Sequence, residues 1–379
     1  MKVLVLGAGQ LAQMMYLAAA PLGIEVLAVD VSDNSVVHPM SKTPYGCDLE
    51  SAIADVTAIT VEFEHIPEPL LAQVQKSGKL FPNIESILAG ADRVREKHLL
   101  DIHNVPNCPY QIITDVAQLQ NIEQTLGDKI IFKPSRDGYD GYGQRRMQTL
   151  ADLPDLLEVF AKLDLLNVPL IAESMVDFDR EISVIGARDQ RGNIHFFDIA
   201  ENLHYQGQLH VSVAPATQLT PTINNEALKI FKTIADALDY VGVLAVEMFQ
   251  LGDTLLVNEI APRVHNSGHW TQKGADTSQF EQHIRAVLGL PLGSTQTRQV
   301  TAMVNIIGCT DLSRQLMTIE GCHLHWYGKT LREKRKMGHI NIVADSYNAL
   351  GEKLALLLTH LPEQSFPMLA GEADRLKSL

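Results

Sequence analysis

Gly242-Val243-Leu244-Ala245-Val246-Glu247-Met248-Phe249-Gln250-Leu251-Gly252-Asp253-Thr254-Leu255-Leu256-Val257-Asn258-Glu259 is an apolar stretch broken in its middle by Gly252-Asp253. A turn pair between two such runs predicts a β-hairpin. Loop length then decides which side chains meet. A three-residue loop, 252–254, places Glu247 opposite Glu259 with both carboxylates on one face, whereas a two-residue loop pairs Glu247 with Asn258. Two acids brought together in an apolar hairpin are costly unless a cation lies between them. Oxygen ligands without histidine or thiolate suit magnesium, with phosphate oxygens filling the rest of its octahedron. Solvated surface carboxylates are the competing reading.

Directly after the hairpin comes Ala261-Pro262-Arg263-Val264-His265-Asn266-Ser267-Gly268-His269-Trp270-Thr271-Gln272, too dense in polar side chains for a simple connector. Arg263, His265 and Asn266 suit an anionic substrate, while His269 and Trp270 read as structural. Upstream, the strand Ile130-Ile131-Phe132-Lys133 leads into Pro134-Ser135-Arg136-Asp137-Gly138-Tyr139-Asp140-Gly141-Tyr142-Gly143-Gln144. Its three glycines within six residues and its lack of long apolar side chains predict a flap that lays backbone N–H groups over phosphates beside Lys133. No G-K-[ST] follows, so this is not a Walker A loop; a plain hairpin is the alternative. Ile171-Ala172-Glu173-Ser174-Met175-Val176 is compatible with a hinge whose backbone reads an adenine edge, and Glu181 with a ribose-hydroxyl acceptor.

The chain opens with an apolar strand, Lys2 to Leu6, then Gly7-Ala8-Gly9-Gln10-Leu11-Ala12 at the head of a helix, and a second strand over Ile24 to Val29. This βαβ start with a G-x-G-x-x-A turn is suited to an anion at a helix N-terminus, either a dinucleotide or a small phosphorylated or carboxylated substrate. A tight turn with no ligand fits equally well. A further strand, Ala58 to Phe63, delivers Glu62 and Glu64 to one face, where a carboxylate at the sheet's C-terminal edge can hold a sugar diol. A helix over about Asp92 to Ile102 carries Arg93 and Lys97, and the prolines of Val105-Pro106-Asn107-Cys108-Pro109 mark a boundary.

The chain of 379 residues carries 45 acidic against 31 basic side chains, a net charge of −14, which disfavours nucleic acid and anionic membranes as partners. Lys329 to Lys336 is a local exception, with five basic residues and one acid. The four cysteines form no C-x-x-C pair and read as free thiols in a reducing cytoplasm. The initial apolar run is broken by Gly7, Gly9, Gln10 and Gln13, so it is not read as a signal peptide, and no stretch is long and apolar enough to span a bilayer.

Taken together, the lysine strand, glycine flap, E-S-M-V, R-E-I-S and E…N-E hairpin resemble the ATP-grasp superfamily. Within it, the chain most resembles the 5-(carboxyamino)imidazole ribonucleotide synthetases of purine biosynthesis. The resemblance runs from GAGQLA through VEFEHIP, ADRVREK, DGYDGYGQ, AVEMF and NEIAPRVHNSGHWTQ to HLHWYGK and RKMGHIN. It implies an α/β and α+β multidomain chain: a Rossmann-like α/β domain over 1–95, an ATP-grasp fold over 96–290 with its lid at about 110–172, and a small β-rich C-terminal domain over 291–379. It implies ATP contacts from Arg93, Lys133, Gly138, Tyr139, Asp140, Gly141, Tyr142, Gly143, Gln144, Glu173, Ser174, Met175, Val176, Glu181 and His204. Magnesium falls to Glu247 and Glu259 with Asn258 beside them. Asp140, Arg263, His265 and Asn266 face bicarbonate and the aminoimidazole. Arg335 and Lys336 grip the ribonucleotide phosphate, and Glu62 serves the same substrate.

The implied reaction is ATP-dependent carboxylation of 5-aminoimidazole ribonucleotide by bicarbonate through carboxyphosphate, in a cytoplasmic homodimer. The chain departs from its relatives at Tyr142, where a basic residue is usual, so Arg136 or Arg145 would have to supply the fixed positive charge. Competing readings are another ATP-grasp ligase, of the formate-dependent glycinamide ribonucleotide transformylase or biotin carboxylase type, and a nicotinamide-linked oxidoreductase built on GAGQLA and Asp30. A regulator without catalysis would be expected to lack Lys133 or one of the acids, and all are present.

Overall fold

The structure is a computed structural model that describes residues 1–136, 138 and 143–379. Its first sheet has the order Ser35–Val37, Glu25–Asp30, Lys2–Leu6, Ala58–Val61, with the last three strands parallel. Parallel strands covered on both faces read as continuous apolar runs. Accordingly, Val3 and Val5 join one core with helices Gln10–Ala19 and Gln279–Val287, while Leu4 and Leu6 face the other, with Leu70, Leu71 and Val74.

The second sheet is antiparallel, in the order Tyr110–Ile113, Leu170–Ser174, Ile130–Pro134, Arg145–Met147. Its core is closed by Phe160, whose ring lies 5.0 Å from Phe132. The flap expected between Lys133 and Gln144 springs from this sheet; Tyr139, Asp140, Gly141 and Tyr142 lie outside the described residues.

The third sheet has nine strands among the described residues. Eight follow the order Thr254–Ala261, Gly242–Leu251, Arg180–Arg188, Ala200–Tyr205, Gln208–Ala214, Val300–Ile307, Lys336–Ala344, Cys322–Trp326, and Ile194–Phe196 pairs off Arg180–Arg188. Helix Pro221–Ala237 packs on one face through Ile223, Ile230, Phe231 and Ile234 against Val184, Val246 and Met248. Val211 pairs with Val304, so the C-terminal strands extend this sheet, and helices Tyr347–Leu358 and Leu369–Lys377 close a further core behind them.

One buried imidazole ties the first sheet to the third. His283 Nδ1 accepts from the Val243 amide at 3.0 Å, which leaves the proton on Nε2 to be donated to Thr60 Oγ1 at 2.7 Å. Burial pulls His283 down to about 4. A depressed imidazole adds stability above its ordinary value of 6.5, and that stability is lost as pH falls toward the folded value, because the unfolded chain takes up the proton first. The urea midpoint should therefore drop between about pH 6.5 and 4, and His283→Gln should remove up to about 3 kcal/mol of that slope. An unchanged slope in the variant would show that the latch contributes nothing.

Candidate active site

The hairpin turns through the two-residue loop, since Leu251 pairs with Thr254. Gly252 there takes a left-handed φ of 57°. This loop alone would bring Glu247 opposite Asn258. A bulge intervenes: Met248 pairs with Val257 but Glu247 pairs with Glu259, so Asn258 is the inserted residue. The loop reading with Asn258 as partner is thus corrected by the bulge, and the acids do face each other. Burial, and then the charge of Glu259, push the Glu247 carboxyl up to about 8, and Glu247 Oε1 has no hydrogen-bond partner among the described residues. A hard divalent cation fits these oxygens. Among the described residues no three acids, histidines or cysteines cluster as a complete cage, so such a cation would share its shell with phosphate oxygens and water.

Glu181 lies on the same face, being cross-strand from Phe249, which is two residues on from Glu247. Its carboxylate sits 2.9 Å from His204 Nδ1. Burial works to lower this imidazole, yet Glu181 and Glu247 hold it above its ordinary value. Across from the acids, Lys133 Nζ lies 2.5 Å from Glu173 and 3.4 Å from Asn258 Oδ1. Glu173 is therefore a buried side-chain anchor, in addition to its place in the expected hinge. The next residues are tied by backbone: the Ser174 amide donates to Pro109 O and the Met175 amide to Lys129 O, each at 2.9 Å, with Val176 following half-buried.

Arg93 begins the helix Arg93–Ile102, capped by Asp92, and holds the root of the flap by donating to Pro134 O at 2.9 Å and Gly138 O at 3.0 Å. Of the two arginines considered as substitutes at Tyr142, Arg136 pairs with Asp92 at 2.7 Å, whereas Arg145 lines the central cavity.

That cavity measures about 1240 Å³. Arg93, Gly138, Gly143, Gln144, Glu259, Arg263, His265 and Asn266 reach it from the ATP-grasp side, Glu62 and Glu64 from just beyond the end of a first-sheet strand, and Lys329, Arg332 and Arg335 from the segment that links the two C-terminal strands, with Lys336 at the start of the second. Glu181, His204 and the 174–176 segment do not line it. Asn266 is buried, and neither side-chain amide atom is hydrogen-bonded among the described residues. His265 Nδ1 lies 2.9 Å from Ser267 Oγ and 3.5 Å from Glu247, and burial followed by the charge of Arg263 keeps the imidazole well below its usual range. His269, read as structural, is held by Gln279 at 2.9 Å and also lines the cavity; Trp270 is core.

The glycine turn has a different partner from either anion considered. Glu62 itself occupies the N-terminus of helix Gln10–Ala19, accepting from the amides of Gly9 and, at 2.9 Å, Ala12. A Cβ at Gly7 or Gly9 would collide with this side chain, and Gly7 has φ of 114°. The turn is glycine-rich to admit a carboxylate of the same chain. Glu64 takes another route and pairs with Arg263 Nε at 2.8 Å. The strand that delivers both ends at Val61, two residues earlier than its apolar run suggests.

Two residues of the site were given no role by the sequence reading. Lys97 is buried against Glu173, and Glu96 accepts from the Ile260 amide at 3.1 Å. The i,i+4 spacing of Arg93 and Lys97 was the available signal, since it puts both on one helix face.

A lysine-bearing antiparallel sheet, a hairpin with facing acids and a glycine-rich stretch of sequence between the paired strands Ile130–Pro134 and Arg145–Met147 define an ATP-grasp enzyme. Family models agree along the chain: a ribonucleotide synthetase preATP-grasp domain over 1–89, an ATP-grasp domain over 98–280, and a phosphoribosylaminoimidazole carboxylase C-terminal domain over 301–353. The N5-carboxyaminoimidazole ribonucleotide synthase of Vibrio cholerae is 48% identical over 100% of both chains, and that of Haemophilus influenzae 38% identical over 99% of this chain and 98% of its own. The crystal structure of the Thermus thermophilus synthetase matches with TM-score 0.82 at 36% identity, covering 95% of this chain and 99% of its own. The Aspergillus clavatus enzyme in complex with ADP and 5-aminoimidazole ribonucleotide matches with TM-score 0.79 at 28% identity over 99% and 98%. The chain belongs to the N5-carboxyaminoimidazole ribonucleotide synthase family.

A carboxyl raised to about 8 loses its proton on unfolding, so the metal-free protein loses stability as pH rises from about 4.5 to 8. Glu247→Gln should abolish turnover while raising metal-free stability at pH 8 by on the order of 1–3 kcal/mol. Thermal melts without metal check this, and a lower melting temperature in the variant would count against a strained acidic pair.

Proposed function

We propose that the chain carboxylates 5-aminoimidazole ribonucleotide with bicarbonate at the expense of ATP, forming N5-carboxyaminoimidazole ribonucleotide in purine biosynthesis. The observation that carries this reading is the convergence, on one cavity, of Glu259 of the acidic pair, the Arg263-His265-Asn266 loop and the 329–336 basic run. Glu247 and Glu259, with Asn258 beside them, are the residues that would hold magnesium, which there would neutralise charge on the transferring phosphoryl group. Lys133 supplies further positive charge, Arg93 anchors the flap over the phosphates, and Glu181, His204 and the 173–176 segment take the nucleoside end.

Bicarbonate is a poor electrophile, so ATP first converts it to carboxyphosphate. Arg263, oriented by Glu64, is placed to bind that anion, with Arg145 as the added cation where Tyr142 provides none. Carboxyphosphate hydrolyses in open water, which gives closure of the 138–144 flap a purpose beyond binding. The ribonucleotide takes the opposite wall: its phosphate at Arg335 and Lys336, with Lys329 and Arg332 nearby, and its ribose at the lone pairs of Glu62 left over from Gly9 and Ala12. His265 and Asp140 are the candidates for orienting the amine, with Asn266 at hand to hydrogen-bond it. Four free cysteines are in keeping with a reducing cytoplasm, and a homodimer is the assembly proposed.

Release of ADP in the presence of magnesium should depend on bicarbonate and rise on addition of 5-aminoimidazole ribonucleotide. Stimulation only by formate with glycinamide ribonucleotide, or NAD reduction without ATP turnover, would overturn the assignment. Light scattering should give twice the chain mass.

A further inference from the structure

We propose that Lys97 is a positioning residue that sets the charge Lys133 presents to ATP. The inference rests on the reading of Lys133 as a phosphate contact. Lys97 is 1% exposed, yet its ammonium group lies 2.7 Å from Glu173 Oε1, while Lys133 lies 2.5 Å from Glu173 Oε2. One carboxylate is thus shared by two lysines. Burial opposes its charged form, but Lys133 and Lys97 outweigh this and hold it at about 2, so it is ionised throughout the working range. Glu96 also faces Lys97, but burial and Glu259 push it up to about 7 while Lys97 and the Ile260 amide pull it down, so Glu173 is the strong partner.

Two ammonium groups against one carboxylate leave one positive charge in the cluster, and Lys133 is its more exposed member, with 11% of its side chain exposed against 1% for Lys97 and with Asn258 of the acidic hairpin 3.4 Å away. Without Lys97, Glu173 would neutralise Lys133 alone, and the phosphates would meet an ion pair of no net charge. Lys97 is further fixed by Asn107 Oδ1 at 3.3 Å and by the Tyr110 ring, whose centroid lies 5.4 Å away. It reaches the nucleotide only through Glu173, and its effect is one of charge balance.

The test is a cycle of Lys97→Met, Glu173→Gln and the double variant, with ATP KM, kcat and melting temperature read for each. Lys97→Met should raise the ATP KM about tenfold with kcat changed less than about twofold, and Glu173→Gln in the same chain should recover most of that loss, because net charge is restored. A double variant no better than Lys97→Met would overturn the proposal. If Lys97→Met does not fold, Glu173→Gln against the double variant carries the test. The Glu173→Gln cluster carries two positive charges and the double variant one, as in the unaltered chain, so the double variant should show the unaltered chain's ATP KM within about twofold, and a larger rise would overturn the proposal. Lys133→Met separates the underlying reading: an unchanged ATP KM there would sink the role of Lys133 itself, whatever the cycle shows.

Discussion

The site depends on one irregularity in a hydrogen-bonded ladder. With the observed Gly252-Asp253 loop, regular pairing would set Glu247 against an amide and leave Glu259 one position away, on the other face of the strand. Inserting Asn258 reverses this and places two carboxylates side by side, with Glu259 at the cavity wall. The bulge is braced from outside, since the Val257 amide, its neighbour, donates to Pro106 O at 2.8 Å. The proline stretch that read only as a boundary therefore supplies, through Pro106 and Asn107, a strand-like partner to the edge of the main sheet. The displaced Asn258 side chain is put to use as a partner of Lys133.

Around the acidic pair the protein distributes charge by pairing rather than by excess. Glu173 is shared by Lys97 and Lys133, Glu181 faces His204, Glu64 holds Arg263, and Glu62 rests on two backbone amides. Further positive charge gathers in the segment between the two C-terminal strands, where Lys329 lies over the Tyr327 ring at 5.5 Å and Arg335 is steadied by Thr330 O at 3.0 Å. A chain with net charge −14 thereby presents a cation-lined wall to small anions while remaining acidic overall.

Much of this arrangement was legible before any coordinates. The strand Ile130 to Lys133, the hairpin around Gly252 and the parallel opening at Lys2–Leu6 follow from apolar periodicity and turn chemistry, which are local. The family resemblance assigned Glu259, Arg263 and Arg335 separate tasks around the same substrates, and these residues line one cavity. The partner of the glycine turn was not legible. A G-x-G-x-x-A turn looks the same whether its anion is a ligand's phosphate or a carboxylate from a later strand of the same chain. Lys97 was obscured similarly, because an exposed helix lysine and a buried one are the same letter until the neighbouring strand supplies Glu173.

The amino-acid sequence by itself determined the class of fold, the family and the residue types of the site, since these rest on patterns spanning a few residues or on strings repeated among relatives. Tertiary structure alone decided which acid faces which, where Glu62 and Glu64 are spent, and that one carboxylate serves two lysines. Each of those outcomes depends on a bulge or on contacts between segments far apart in the chain, and such contacts are set by packing and electrostatics in three dimensions. No local pattern encodes them.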